Sequence, residues 1–293
     1  MTRDLPPLGV AVAAGSPPLV APAPESVSFP SEDGATMLVG YLFKPAHSCP
    51  CPAVVMMHGR GGAFSTRTSD VYDGGALSGR HREWATFWAD RGYVGLHVDS
   101  FGPRGYPHGF AAGTYQARPP GLSELTIRPL DAYGAVRFLR SRPEVIPDRI
   151  GLHGWSNGGT AALAAMAADA PGIRDPTPAT GFRAAVAFYP ACGLGGRYAA
   201  GYRPYAPVLV LVATDDEEVS PQRCEKFVAA GKAAGGAIEI VSYAGAQHAF
   251  DDPGPGKRGR EANRLATIDA RNRVAEFFER HLQRFGAAMG EPP

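Results

Sequence analysis

The segment that most constrains the fold is a serine flanked by glycines, Gly154-Trp155-Ser156-Asn157-Gly158-Gly159, between a predicted strand at 149–153 and a predicted helix at 160–168. This strand–turn–helix context is typical of a nucleophile elbow, in which a tight turn exposes the serine oxygen at the strand end. Glycines on either side leave room for the strained turn. The alternative interpretation is a glycine-rich β-to-α turn with an incidental serine.

The chain alternates between apolar runs typical of buried strands and amphipathic segments typical of helices. After a hairpin formed by 26–29 and 37–43, strands are predicted at 53–57, 93–98, 149–153, 184–189, 208–213 and 238–243. Helices are predicted at 82–91, 127–140, 160–168, 221–234 and 265–285. This order predicts an α/β fold, a mainly parallel sheet with helices on both faces. We expect one domain over 25–293, preceded by a Pro/Ala-rich arm at 1–24.

Composition excludes several classes of function. The formal net charge is +1 with a pI near 7.7, and no block of like charge indicates nucleic acid or a membrane surface as a partner. Pro6-Pro7 and Pro17-Pro18 interrupt the apolar stretch of the arm, so we predict a cytoplasmic protein, with an export signal as the alternative. The composition does not indicate an oligomeric state.

The four cysteines are Cys49, Cys51, Cys192 and Cys224. An enzyme of this length does not need a disulfide framework, and Cys49-Pro50-Cys51 lacks the spacing of a zinc or redox motif. Cys192 and Cys224 both follow predicted strand ends, so a bridge between them is possible. We nevertheless expect two free, partly buried thiols, and we expect no metal and no cofactor.

The distinctive polar residues follow the carboxyl ends of the predicted strands, where sites form in parallel sheets. A serine nucleophile needs a base, and the base needs an acid to orient it. After Ser156 the chain offers Asp215 or Asp216 as the acid and His248 as the base, in the order Ser, Asp, His. Spacing alone leaves both aspartates open as the triad acid.

An oxyanion hole needs two backbone N–H groups aimed at the developing charge. Asn157, the first residue of the helix after the elbow, supplies one predicted donor. The glycine-rich loop His58-Gly59-Arg60-Gly61-Gly62 supplies the other, for which Arg60 is our choice. An ordinary β-to-α turn is the alternative interpretation of this loop.

These motifs together resemble the dienelactone hydrolase family of α/β hydrolases, over about residues 27–285. The resemblance is carried by the glycine-rich loop at 58–62, Asp99-Ser100-Phe101-Gly102-Pro103-Arg104, the elbow, Tyr189-Pro190, and His248-Ala249-Phe250. In the family the acid follows a small residue at the strand end by three positions. Ala213 fits that spacing to Asp216, so the resemblance favours Asp216.

The chain departs from the family pattern in ways that bear on the substrate. Family members with dienelactone activity use a cysteine nucleophile held by a glutamate, where this chain has Ser156 and Gly59. They also bind a substrate carboxylate with two arginines. Arg104 is a candidate for the first, but Asp252 stands at the position of the second and would repel a carboxylate. The resemblance is therefore to a serine esterase branch.

We accordingly predict a serine hydrolase that cleaves small-molecule carboxylic esters through an acyl-enzyme. Arg104, Trp155 and Tyr189 are candidate substrate-binding residues, and the loops at 63–79 and 101–125 are expected to line the pocket. The alternatives are a dienelactone or lactone hydrolase, a peptidase or acyltransferase on the same fold, and a catalytically silent binding protein.

Overall fold

A computed structural model describes residues 23–66 and 70–283 of the chain. The strands are β1 (Glu25–Pro30), β2 (Met37–Phe43), β3 (Cys51–Met57), β4 (Val94–Asp99), β5 (Val145–Trp155), β6 (Ala184–Phe188), β7 (Val208–Ala213) and β8 (Ile238–Tyr243). They form one sheet in the order β1-β2-β4-β3-β5-β6-β7-β8. The first two strands pair antiparallel, β2 pairs antiparallel with β4, and all later pairings are parallel. The predicted α/β class and mainly parallel sheet are confirmed.

The helices lie on both faces of this sheet. They are α1 (Gly79–Ala89), α2 (Arg128–Arg140), α3 (Asn157–Met166), α4 (Pro221–Ala233), the short α5 (Pro255–Arg258) and α6 (Glu261–Phe278), which continues as a wider π turn over Glu279–Gln283. α2, α3 and α4 share one apolar core with the sheet, and α1 and α6 share the other. Strand residues divide alternately between the two cores, as for Val54 and Val55 on β3, because successive side chains point to opposite faces.

Local sequence explains where α4 begins. Pro221 occupies its first turn, where the missing N–H costs nothing, and the Ser220 hydroxyl accepts from the Arg223 N–H at 3.3 Å. The start therefore follows directly after the acidic turn that ends β7. This placement brings Cys224 to the carboxyl edge of the sheet.

The prediction of free thiols at Cys192 and Cys224 is wrong. The loop after β6 and the first turn of α4 lie side by side, with the two Cα atoms 5.0 Å apart, and the cysteines form a disulfide. Cys49 and Cys51 form a second disulfide, so the described residues include no free cysteine. The length of the chain does not predict the Cys192–Cys224 bridge. The bridge forms because β6 and β7 are neighbours in the sheet, so the segments that follow them lie close together.

Residues 1–22, most of the proposed arm, lie outside the described residues. Over the residues that are described, none of the helices combines the length and apolar character needed to cross a bilayer.

Candidate active site

The elbow joins the end of β5 to the start of α3. Ser156 has φ 52° and ψ −116°, a strained conformation for a residue with a side chain. A Cβ on Gly158 would collide with the backbone of Met57 and His58, and one on Gly154 would collide with Gly158. The glycines are therefore required by close backbone approach, and they allow the turn to present Ser156 at the strand end.

Ser156, His248 and Asp216 form one chain of hydrogen-bond contacts. His248 Nε2 lies 3.0 Å from Ser156 Oγ, and His248 Nδ1 lies 2.9 and 3.0 Å from the two Asp216 oxygens. The side chains of His248 and Asp216 are only 6% and 2% exposed, so solvent screens their contact weakly. With Nδ1–H donating to Asp216, the Nε2 lone pair is directed to the serine hydroxyl.

Asp215 and Asp216 point in different directions. Asp216 Oδ1 also accepts from the N–H groups of Glu218 and Val219, each at 2.9 Å, which fixes the carboxylate beneath His248. Asp215 instead forms an exposed ion pair with Arg260 at 3.0 Å. Of the two aspartates that spacing left open, the structure therefore brings Asp216 to the histidine.

The glycine-rich loop packs directly against the elbow. A Cβ added to Gly59 would stand 3.4 Å from Ser156 Cβ, so the peptide that links Gly59 to Arg60 lies close to the nucleophile position. The Phe110 N–H donates to the Arg60 carbonyl at 2.8 Å and holds this loop from the other side. Across the serine lies Asn157, whose N–H has no carbonyl partner one turn earlier because it begins α3.

An ion pair lies beside His248. The Arg60 guanidinium donates to both oxygens of Glu218, at 2.8 and 2.6 Å, and to the Phe110 carbonyl at 3.1 Å. The hydrogen bond from Arg60 lowers the pKa of Glu218 and keeps it ionised. Glu218 Oε2 lies 3.8 Å from His248 Nε2, close enough to stabilise a positive charge on that ring.

Arg118 belongs to the site, although no sequence motif selects it. Its Nη1 donates to Asn157 Oδ1 at 2.6 Å, and its guanidinium lies over the rings of Tyr115 and Phe110. Asn157 Nδ2 in turn donates weakly to the buried Glu124, at 3.4 Å. This Arg118–Asn157–Glu124 chain fixes the side chain of the residue whose N–H faces the serine.

Trp155 and Tyr189, predicted to contact substrate, are fully buried beneath the site. The Trp155 Nε1–H and the Tyr189 hydroxyl both donate to Asp251, as does the Trp84 Nε1–H at 2.7 Å. The Tyr189 ring centroid is 4.7 Å from that of His248. The structure therefore gives both residues a supporting position below the histidine, held by a buried carboxylate that the sequence did not reveal.

Arg104 is also placed away from the serine. Its guanidinium pairs with Asp33 at 2.6 Å and with the fully buried Asp131 at 2.8 Å, and it donates to the Ser100 carbonyl. Salt bridges within the protein therefore occupy the Arg104 guanidinium. They hold the β1–β2 hairpin turn, through Asp33, against α2.

A buried histidine cluster lies between the sheet and α1, and its members are His58, His81, His97 and His153. His58 donates from Nδ1 to the Gly59 carbonyl at 2.7 Å and accepts the Ser100 N–H at Nε2, which fixes a neutral tautomer. Burial lowers the pKa of each member well below the ordinary histidine value, to about 3 for His97. The cluster is therefore uncharged at neutral pH.

The residues that sequence reasoning missed share one property. Asp251, Arg118 and Glu218 make their decisive contacts with residues 96, 39 and 158 positions away, so no local pattern marks them. In the sequence, Asp251 is marked only by its position three residues after His248. Within the described segments, no group of three or more His, Cys, Asp or Glu side chains is arranged to hold a metal ion.

Comparison with known proteins identifies the family of the chain. The family model described as "Dienelactone hydrolase family" matches residues 38–282. The chain belongs to the dienelactone hydrolase family. It is accordingly a hydrolase-family protein with the α/β-hydrolase fold, as the resemblance of its motifs implied.

Solved structures share the fold at low sequence identity. Thermogutta terrifontis esterase 2, phosphorylated by paraoxon, is 22% identical, with 89% of this chain and 95% of that chain covered and a TM-score of 0.60. A putative dienelactone hydrolase from Klebsiella pneumoniae is 19% identical, with 87% and 97% covered and a TM-score of 0.60. The dienelactone hydrolase-like promiscuous phosphotriesterase P91, from metagenomic libraries, is 20% identical, with 89% and 99% covered and a TM-score of 0.63.

Proposed function

We propose that this protein is a serine-dependent carboxylic ester hydrolase that works through an acyl-enzyme. The observation that carries the proposal is the continuous contact chain from Ser156 Oγ through His248 to Asp216. A non-catalytic binding protein has no need for a buried acid that orients a histidine toward a strained, exposed serine. Family membership and the esterase neighbours support the same class of reaction.

In the acylation step, Ser156 Oγ attacks the ester carbonyl carbon while its proton passes to His248 Nε2. Asp216 stabilises the imidazolium through the Nδ1–H contact, and Glu218 adds a second negative charge nearby. The negative oxygen of the tetrahedral intermediate faces the N–H groups of Asn157 and Arg60. The C–O bond to the alcohol then breaks, and His248 returns the proton to the leaving oxygen.

In the deacylation step, water takes the place of the alcohol. His248 removes a proton from the water as the water oxygen attacks the acyl carbon. The intermediate collapses with release of the carboxylic acid, and Ser156 recovers its proton from His248.

The test compares wild type with Ser156→Ala on 4-nitrophenyl acetate and butyrate. We expect the variant to lose about 10³-fold or more in kcat/KM, because the nucleophile is removed. Ser242→Ala is the matched control, since this exposed serine lies on the edge strand β8 and donates to Glu225, and we expect it to retain wild-type rates. Hydrolysis by Ser156→Ala at the wild-type rate would refute the mechanism.

A peptide 4-nitroanilide assayed in parallel separates an esterase from a peptidase. The proposal predicts a kcat/KM for the ester far above that for the amide. Comparable rates on the two substrates would favour the peptidase alternative. Transfer of the acyl group to an added alcohol, measured in the same reactions, distinguishes an acyltransferase from a hydrolase.

A further inference from the structure

A cavity of about 830 Å³ lies against the elbow, between the loop that contains Tyr115 and Glu124, the start of α3, and the loop that follows β6. Its inner end includes Thr160, whose hydroxyl donates to the Ser156 carbonyl at 3.2 Å, and Ala191, whose N–H donates to that hydroxyl at 2.9 Å. The cavity therefore begins one helical turn from the proposed nucleophile.

The position of His248 decides which part of an ester faces this cavity. The leaving alcohol must lie beside His248 Nε2 to receive its proton, and His248 is surrounded by Asp216, Glu218 and Tyr189. None of these residues lines the cavity, which instead borders the Asn157 side of the serine through Glu124 and Thr160. The cavity is therefore separate from the residues that surround the leaving alcohol.

The lining of the cavity combines apolar and basic side chains. Leu125, Phe227 and the Cys192–Cys224 disulfide contribute apolar surface. Arg223 and Lys226, both exposed to solvent, form its rim and stand about one turn apart on α4. Arg223 leans over the loop after β6, since a Cβ on Gly193 would be 3.1 Å from its Nη1.

These two rim cations differ from Arg60, the basic residue beside His248. Arg60 is paired with Glu218, whereas among the described residues no carboxylate lies within ion-pair distance of Arg223 or Lys226. The one acidic side chain in the lining, Glu124, is buried at the inner end. It contacts Asn157 there, so it does not neutralise the rim.

We propose that this cavity binds the acyl chain of an ester that ends in a carboxylate, such as the half-ester of a dicarboxylic acid. The apolar middle accommodates the methylene chain, and Arg223 and Lys226 attract the distal anion. This inference rests on the proposed function and names its substrate class. It also agrees with the acid at Asp252, because the anion is held on the far side of the serine from the His248 turn.

The experiment compares monoethyl esters of dicarboxylic acids of four to eight carbons with ethyl esters of monocarboxylic acids of equal length. For each length, the ratio of kcat/KM for the half-ester to that for the neutral ester is measured at low ionic strength. We expect the ratio in wild type to peak at one chain length, since the distance from serine to rim is fixed. Added salt lowers it, because exposed charges are screened.

The double variant Arg223→Gln/Lys226→Gln is expected to lower this ratio about ten-fold, since each exposed cation contributes a few-fold in binding. Its kcat/KM on the neutral ester is expected to fall less than its kcat/KM on the half-ester, and the ratio measures this difference directly. Lys232→Gln is the matched control, because it removes a positive charge from the last turn of the same helix outside the cavity lining. This control is expected to leave the ratio as in wild type.

Two results would overturn the inference and can be told apart. If neutral esters are hydrolysed in a Ser156-dependent manner but the ratio is the same in wild type, double variant and control, the acyl-anion site is wrong while the proposed function stands. If neither class of ester is hydrolysed, the proposed function fails and the inference fails with it.

Discussion

Replacement of Asp251 by alanine tests the buried support beneath His248. The Asp251 side chain is almost fully buried and accepts hydrogen bonds from Trp84, Trp155 and Tyr189. Alanine removes both oxygens and leaves two indole N–H groups and one hydroxyl without this acceptor. A buried donor without a partner costs about 1–3 kcal/mol.

Summed over three donors, the variant loses roughly 3–9 kcal/mol of unfolding free energy. We expect about 4 kcal/mol, because a water molecule can enter the space left by the carboxylate and satisfy part of the set. Asp251→Asn is the matched control. Its amide oxygen can still accept from the two indoles while its NH₂ donates to the Tyr189 oxygen, so it costs about 1–2 kcal/mol.

Urea unfolding followed by far-UV circular dichroism measures both variants against wild type. The reasoning predicts a clear order of unfolding free energies, with wild type highest, Asp251→Asn intermediate and Asp251→Ala lowest. An alanine variant within about 1 kcal/mol of wild type would show that the three donors find other partners. An asparagine variant as unstable as the alanine variant would show that the negative charge, rather than the acceptor geometry, matters.

Three further predictions concern the triad acid, the buried histidine cluster and the disulfide. Asp216→Asn lowers kcat by about 10⁴-fold in ester hydrolysis, because His248 loses its orienting acceptor, whereas Asp215→Asn leaves kcat near wild type. Burial holds the pKa values of the histidine cluster low in the folded state, so the unfolding free energy falls as the pH drops below about 6.5. The fall is up to about 1.4 kcal/mol per pH unit for each histidine. The variant His97→Phe is expected to reduce this slope, measured by urea titrations between pH 7.5 and 5.5. The double variant Cys192→Ser/Cys224→Ser loses about 4 kcal/mol of unfolding free energy, because the bridge closes a loop of 32 residues.

Each of these predictions has a contradictory outcome. Equal losses of kcat in Asp216→Asn and Asp215→Asn would show that Asp216 is not the triad acid. A stability that does not change between pH 7.5 and 5.5 would mean that the histidine cluster is protonated in the folded state or already uncharged in the unfolded state. An unfolding free energy within about 1 kcal/mol of wild type for the double serine variant would show that the bridge contributes little.

The sheet was predictable because its strands carry a strong local signal. Continuous apolar runs located β3, β6 and β7 to within two residues, as expected for strands that are buried on both faces. β5 extends further toward its start, to Val145, than its apolar run suggests. Its early residues include the polar Asp148, and pairing of Val145 with Cys51 on β3 rather than burial defines them.

The proposed catalytic residues were partly predictable for a related reason. A parallel sheet collects the ends of its strands on one edge, so Ser156 and His248 could be grouped without knowing any distance. The choice between Asp215 and Asp216 depends on side-chain direction within one turn, which spacing does not encode. The ion pair with Arg260 and the amides of Glu218 and Val219 determine that direction.

Long-range pairings could not be predicted from the chain at all. Arg104 follows β4 in the position of a substrate-binding residue, yet Asp33 and Asp131, from two other elements, occupy its guanidinium. Trp155 lies next to the serine in sequence, but its side chain points into the core toward Asp251. The position of Trp155 next to the serine in the sequence therefore does not place its side chain against substrate.

The central claim is that Ser156 is the nucleophile, and covalent labelling tests it most directly. The protein is incubated with paraoxon or a fluorophosphonate, and intact mass and peptide mapping locate the adduct. The account predicts one adduct per chain on Ser156, absent from Ser156→Ala and formed more slowly in Asp216→Asn because His248 is no longer oriented. An adduct on another residue, or ester hydrolysis that continues with Ser156 unlabelled, would contradict it.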